Sequence, residues 1–216
     1  MKNYYVKIMF LFLGLFILMY GYPVRADLPL QGKVIVVDSG HGGLDPGALY
    51  NDIYEKDITL AIGKYLEYDL SKMGATVIMT RSDDNDLSNG VKNHRKKADF
   101  DERIKIINQK FVDMYVSIHL NYLTDSRYYG AQVFYNNDNK KLAESVQEYL
   151  NKNTNGDRKV KKIPTSTYMY DKLKTKGILV ECGFLSNSME RSKLVTKEYQ
   201  MEFARVLSEA ISHYYN

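Results

Sequence analysis

Three polar residues in this chain of 216 stand where apolar segments stop, and a fourth stands where a long amphipathic segment begins. His41 lies in the glycine-rich stretch Val-Val-Asp-Ser-Gly-His-Gly-Gly (36–43), three residues past the apolar run 33–38. His119 directly follows the run 112–118, Val-Asp-Met-Tyr-Val-Ser-Ile, and Glu181 closes Gly-Ile-Leu-Val-Glu, 177–181. Glu55 comes shortly after the His41 turn, just before a long amphipathic segment. Two imidazoles and a carboxylate are the donor set of a catalytic zinc site: three protein ligands, with one position open to water. Neutral imidazole and carboxylate leave net positive charge on the metal, which lowers the pKa of bound water towards ~7. A carboxylate that is not a ligand can then take the water's proton, and Glu181 is the spare acid. An ionisable group at the end of an apolar strand is costly to bury without a purpose.

Other chemistries fit less well. A phosphate-binding loop would need G-x-x-x-x-G-K-[ST] or G-x-G-x-x-G, and neither is present. The residues after Gly43, Leu-Asp-Pro-Gly, read as a turn and not as the opening of a helix. Cys182 with His119 as its base is a conceivable nucleophile pair, but a cysteine between Glu181 and Gly183 reads more simply as a small core residue. His94 and His213 read as structural or solvent-exposed.

The elements that must position these residues alternate in period. Runs 33–38, 75–80, 112–118, 130–135 and 177–181 read as strands, the first and last apolar enough to be buried on both faces. Segments 56–73, 99–110, 138–152 and 198–215 carry apolar residues at helical spacing, and Gly74 is a natural stop for the first. Strand–helix–strand order predicts a single α/β domain with a mostly parallel sheet flanked by helices. In such a sheet ligands bind at the carboxyl ends of the strands. If these strands are parallel neighbours, His41, His119 and Glu181 gather at one edge. The polar stretch 82–98, Ser-Asp-Asp through Lys-Lys-Ala, reads as a surface insertion.

Hydrophobic residues make up 44% and charged residues 26%, which suits one globular domain with a full core. Residues 1–26 read as an export signal: Lys2 and Lys7, an apolar run of 13 residues from Ile8 to Tyr20, then Val-Arg-Ala. That run is short of the ~20 residues a spanning helix needs. Contact with a membrane is therefore expected only through the signal, with an uncleaved anchor as the alternative. Residues 27–216 hold 27 basic and 26 acidic residues, a net charge of +1. That balance excludes a broad nucleic-acid footprint. The lone Cys182 forms no intramolecular disulfide, so the fold does not depend on an oxidising compartment. No separate wall-binding module is evident, so targeting is expected from the domain or from a partner.

Five stretches together resemble one known family. Val-Val-Asp-Ser-Gly-His-Gly-Gly-Leu-Asp-Pro-Gly-Ala (36–48), the Glu-Lys segment 55–66, Met-Gly-Ala-Thr-Val-Ile-Met-Thr-Arg (73–81), Tyr-Val-Ser-Ile-His-Leu-Asn (115–121) and 177–191 are similar to the zinc-dependent N-acetylmuramoyl-L-alanine amidases of the amidase-3 type. The resemblance covers about residues 33–215 and makes 27–216 the catalytic domain. It implies a hydrolase of the amide joining the lactyl group of N-acetylmuramic acid to L-alanine in peptidoglycan. It implies Zn²⁺ held by His41, Glu55 and His119, with Glu181 as the catalytic acid/base. Asn121, two residues past His119, is a candidate substrate contact, with strand-end turn chemistry as an equal alternative. The sequence departs from the family pattern at Ser39, where proline or alanine is usual, and at Leu120.

The insertion, Ser-Ile-His-Leu-Asn and the lack of wall-binding repeats most resemble the sporulation branch. That branch strips peptide stems in spore cortex, as a step towards muramic-δ-lactam and later germination. The resemblance places the protein outside the cytoplasmic membrane, in the cell wall or spore cortex of a bacterium. Peptidoglycan is the expected substrate. An adaptor or activator protein is a candidate partner, and Lys92 to Lys97 is a candidate contact surface, with a solvated loop as the simpler reading. Two other functions are alternatives: a non-catalytic peptidoglycan-binding scaffold on the same fold, and a zinc-dependent deacetylase acting on the same polymer.

Overall fold

The computed structural model describes residues 28–154 and 156–215; the export signal expected at 1–26 lies outside them. No helix among the described residues is long and apolar enough to cross a membrane. The sheet has six strands: β1 Val34–Ser39, β4 Thr76–Met79, β5 Met114–Asn121, β6 Gln132–Tyr135, β7 Lys161–Lys162 and β8 Gly177–Phe184. Their order is β4-β1-β5-β8-β6-β7. The first four are parallel, β6 runs antiparallel to β8, and β7 follows β6. A short antiparallel hairpin, β2 Leu49–Tyr50 and β3 Ile53–Tyr54, sits outside the sheet. Among the described residues five α-helices flank the sheet: α1 Glu55–Lys72, α2 Arg95–Ile107, α3 Lys140–Thr154, α4 Ser188–Leu194 and α5 Lys197–Tyr215.

The central strands are buried on both faces because their side chains alternate between two cores. Ile35, Val37, Val116, Ile118, Ile178 and Val180 join a core with residues of α1, α3 and α5. Their neighbours Val36, Tyr115 and Leu179 join a second core with Ile107 of α2 and with Met169 and Tyr170. The same alternation puts Asp38, His119 and Glu181 on the second face, in the carboxyl-terminal halves of adjacent strands.

The structure corrects several boundaries. α2 begins at Arg95 and not at 99, because its first turn is charged and carries no apolar period. β5 and β8 run on to Asn121 and Phe184, so His119 and Glu181 lie within strands and not just past or at their ends. The ladder continues beyond them through an irregularity that pairs Asn121 with Phe184. Helix α4 was not anticipated; Asn187 starts it, its side chain accepting from the N–H groups of Met189 and Glu190. Gly74 does end α1, at φ +94°.

Candidate metal centre and catalytic acid

The turn after β1 is held by two buried arginines. His41 sits at φ +63°, a left-handed conformation that costs a residue with a β-carbon. Arg103, from α2, donates to the carbonyls of Ser39 (2.8 Å) and His41 (2.6 Å). Arg81, just past β4, donates to those of Ser39 (3.0 Å) and Gly40 (2.9 Å). Gly42 and Asp45 exchange backbone hydrogen bonds of 3.0 Å, which closes the loop. Asp84 accepts from the Gly43 N–H at 2.9 Å and pairs with Lys56 at 2.6 Å. Stretch 82–98 is therefore not only a solvated insertion: its first part braces the His41 turn and its last part opens α2.

Two glycines leave room for the site. A β-carbon at Gly40 would lie 2.3 Å from Cε1 of His119. One at Gly47, where φ is +69°, would lie 2.6 Å from Glu55 Oε2 and 2.7 Å from His41 Cδ2. The Leu-Asp-Pro-Gly turn thus packs directly on two of the expected ligands.

Glu55 is the first residue of α1, delivered by the hairpin that precedes it. Backbone donors fix both its oxygens: Leu120 N–H to Oε1 at 2.9 Å and Ala48 N–H to Oε2 at 2.7 Å. Oε1 also lies 3.2 Å from His41 Nε2 and 3.1 Å from His119 Nδ1. The two imidazoles meet edge to face, with centroids 5.0 Å apart. One ligand atom from each of the three residues falls within 4.8 Å of the others, so the group could hold a metal ion. Two imidazoles and one carboxylate, with the carboxylate locked by backbone donors, fit a tetrahedral zinc site with one open position.

Electrostatics agree with a shared charge at this point. Burial alone would lower the His41 pKa, but the Asp45 and Glu55 carboxylates beside it raise it to about 9. Burial alone would raise that of Glu55, but His119 and His41 hold it well below the usual carboxylate range. Asp45 Oδ2 stands 3.1 Å from His41 Nδ1, close enough for an ion pair but not aligned as a hydrogen bond. Behind His119 a buried polar chain runs inward. Tyr170 OH lies 3.4 Å from His119 Nε2 and 3.0 Å from Ser117 Oγ, and Ser117 donates to Asp38 at 2.6 Å. Asp38 also accepts from Arg103 (2.7 Å) and Thr80 (2.9 Å).

Glu181 stands apart from the three. It pairs in register with His119 on one side and with Gln132 on the other. Its Oε2 is buried and has no hydrogen-bond partner among the described residues. Burial, and then the Glu55 carboxylate, push its carboxyl up to about 8, while His41 pulls the other way. Asn121 lines a cavity together with Glu181.

The remaining candidates fall elsewhere. Cys182 is fully buried in the core and burial pushes its thiol well up, so it supplies no thiolate. His94 and His213 are exposed. Within Lys92 to Lys97, Arg95, Lys96 and Lys97 pair with Asp86, Asp45 and Asp101 of the same chain. Ser39 packs its buried Oγ where a β-carbon on Gly63 of α1 would lie, while its carbonyl serves both arginines. Sequence reasoning missed Arg81, Arg103 and Tyr170; a charged residue directly after an apolar strand was the available signal for Arg81.

Comparison with known proteins gives a consistent result. Residues 35–213 match a family described as N-acetylmuramoyl-L-alanine amidase. The germination-specific N-acetylmuramoyl-L-alanine amidase of Bacillus subtilis is 39% identical over 196 residues, 88% of this chain and 82% of its own. Among solved structures, the CwlD amidase of Clostridioides difficile, in complex with the GerS lipoprotein, superposes with a TM-score of 0.78 at 37% identity. That match covers 84% of this chain and 98% of CwlD. The amidase AmiC2 of Nostoc punctiforme matches with a TM-score of 0.73 at 28% identity, over 85% and 97% of the two chains.

Proposed function

The chain belongs to the N-acetylmuramoyl-L-alanine amidase family, and from that membership we propose a zinc-dependent hydrolase that strips stem peptides from the peptidoglycan of spore cortex. The scissile bond is the amide between the lactyl group of N-acetylmuramic acid and L-alanine. His41, Glu55 and His119 would hold the zinc. When bound, zinc supplies Lewis acidity at the amide carbonyl and makes a water more acidic. Glu181 takes the proton of the attacking water and returns it to the L-alanine nitrogen as the C–N bond breaks. The products are a lactyl carboxylate and a free peptide amine. A carboxyl raised by burial is suited to both halves of that transfer, since it accepts and releases a proton near neutral pH.

The observation that carries this reading is the buried, unpartnered Oε2 of Glu181 beside the His41–Glu55–His119 group. Leaving such an atom unpaired costs free energy that a purely structural residue would not retain. Export through residues 1–26 fits a substrate outside the membrane. A lipoprotein partner fits as well, because the solved structure of the Clostridioides difficile relative is a complex with one. The test is mass analysis of muropeptides after incubation with the zinc-loaded protein, alone and with such a partner. Release of whole stem peptides is expected. Loss of single acetyl groups, or no release under either condition, would overturn the assignment.

A further inference from the structure

A cavity of about 410 Å³ opens beside Glu181, between the ends of β5, β8, β6 and β7. Asn121, Tyr128 and Phe184 line it along with Glu181, and so do two cations, Arg158 and Lys161. Neither forms an ion pair among the described residues. Glu190, a carboxylate near Arg158, is already engaged by the backbone N–H groups of Gly130 and Phe184.

Arg158 is also fixed in place. Its Nε donates to the Tyr129 carbonyl at 2.7 Å, and its guanidinium stands 5.1 Å from the Tyr128 ring centroid and 4.8 Å from that of Phe184. The Nε bond and the flanking rings orient the fork, and its Nη groups have no hydrogen-bond partner among the described residues. A guanidinium preorganised in this way, with a lysine lining the same cavity, suits a carboxylate.

The charge of the substrate decides which part of it belongs there. In N-acetylmuramoyl-L-alanine the lactyl carboxyl is consumed in the scissile amide, so the glycan is uncharged next to the bond. Carboxylates close to the bond belong to the peptide. Resting on the amidase reading above, we infer that this cavity is the peptide-side subsite, in which Arg158 and Lys161 read the free α-carboxylate of the stem residue that follows L-alanine. The protein therefore distinguishes stems in which that carboxyl is free from stems in which it is an amide. Arg158 and Lys161 set specificity; proton transfer remains with Glu181.

Product peptides test this without any turnover. The zinc-loaded protein is titrated calorimetrically with L-Ala-γ-D-Glu-L-Lys carrying a C-terminal amide, with the same peptide bearing an α-carboxamide on the second residue, and with N-acetylmuramic acid. The free acid is expected to bind about tenfold more tightly than the amide, as loss of a charge-assisted pair requires. Arg158→Gln and Lys161→Gln should each shrink that ratio while zinc content stays unchanged. Lys161 is exposed, so its variant carries the test if Arg158→Gln does not fold. Equal affinities for the two peptides, a preference that survives both substitutions, or preferential binding of N-acetylmuramic acid would overturn the assignment. Muropeptide hydrolysis separates the two readings: selective binding without hydrolysis sinks the amidase, and hydrolysis without selectivity sinks the subsite.

Discussion

His119 and Glu181 occupy the same rung of the β5–β8 ladder. In a parallel pair, residues in register point to the same face, so the strand that delivers an imidazole to Glu55 also sets a carboxyl next to it. One of the two is tied in, with His119 Nδ1 at 3.1 Å from Glu55. The other keeps a buried oxygen free of any partner among the described residues. On the proposed reading, the sheet register itself separates the metal-holding residue from the proton-handling one.

Substituting Glu181 should uncouple those functions. Glu181→Gln keeps the shape and removes the titrating group. The expected kcat falls by about 10²–10⁴-fold, the usual contribution of a positioned acid/base, while zinc stoichiometry is unchanged. Elemental analysis and muropeptide release measured on the same preparation check this. A variant with near-normal release would show that the proton goes elsewhere.

Substituting His119 should do the opposite. His119→Ala removes one of three donors and is expected to leave the purified protein with sub-stoichiometric zinc. Thermal unfolding supplies a second readout. A ligand at a hundredfold excess over its Kd stabilises the folded state by about 2.7 kcal/mol, which is several degrees for a domain of this size. A chelator should therefore lower the Tm of the wild type and leave that of His119→Ala unmoved. Equal chelator sensitivity in the two proteins would place the metal elsewhere.

The parts of this site that were legible in the sequence are those where an apolar run meets a polar residue. His41, His119 and Glu181 each announce themselves in that way, and the parallel topology brings them together. Glu55 lies at the start of a helix after a two-strand hairpin too short to show a period, and its role came from the family resemblance. Arg81 stands directly after an apolar strand, but the bonds by which it and Arg103 hold the His41 turn run to backbone carbonyls more than 40 residues away in the chain. No side-chain pattern encodes a carbonyl acceptor. For the same reason stretch 82–98 looked like a solvated loop: its bracing bonds run to the backbone of the His41 turn. Helix α4 has seven residues and one buried apolar side chain, too little for helical spacing to register.

Gly40 should be as sensitive as a ligand although it offers no donor. A β-carbon there would stand 2.3 Å from the His119 ring, against an imidazole already held between Glu55 and Tyr170. Gly40→Ala is expected to displace His119, lower zinc content and cost about 1–3 kcal/mol of stability through overpacking. Zinc analysis with urea unfolding checks both. Wild-type zinc content would mean that the turn can move away without disturbing the imidazole.

Acid stability should depend on Asp38. Burial alone would raise its pKa, but the Arg103 guanidinium and the Ser117 hydroxyl outweigh burial and hold it below 3.8. A carboxyl depressed on folding binds fewer protons in the native than in the unfolded state, so it stabilises the fold above pH 3.8. That contribution is lost as the pH falls through the native value. Asp38→Asn leaves Arg103 buried with one of its two carboxylates removed, Asp99 alone remaining at 3.0 Å. Breaking a buried pair on one side costs about 3–5 kcal/mol, and the retained Asp99 places this case at the lower end. Urea unfolding at pH 7 should show that loss in full. Repeated at pH 3, the gap between wild type and Asp38→Asn should narrow, because below 3.8 the unfolded wild type takes up a proton on this carboxyl that the folded state resists. A gap that stays constant from pH 7 to pH 3 would mean that Asp38 stabilises the His41 turn by shape and hydrogen bonding and not by its charge.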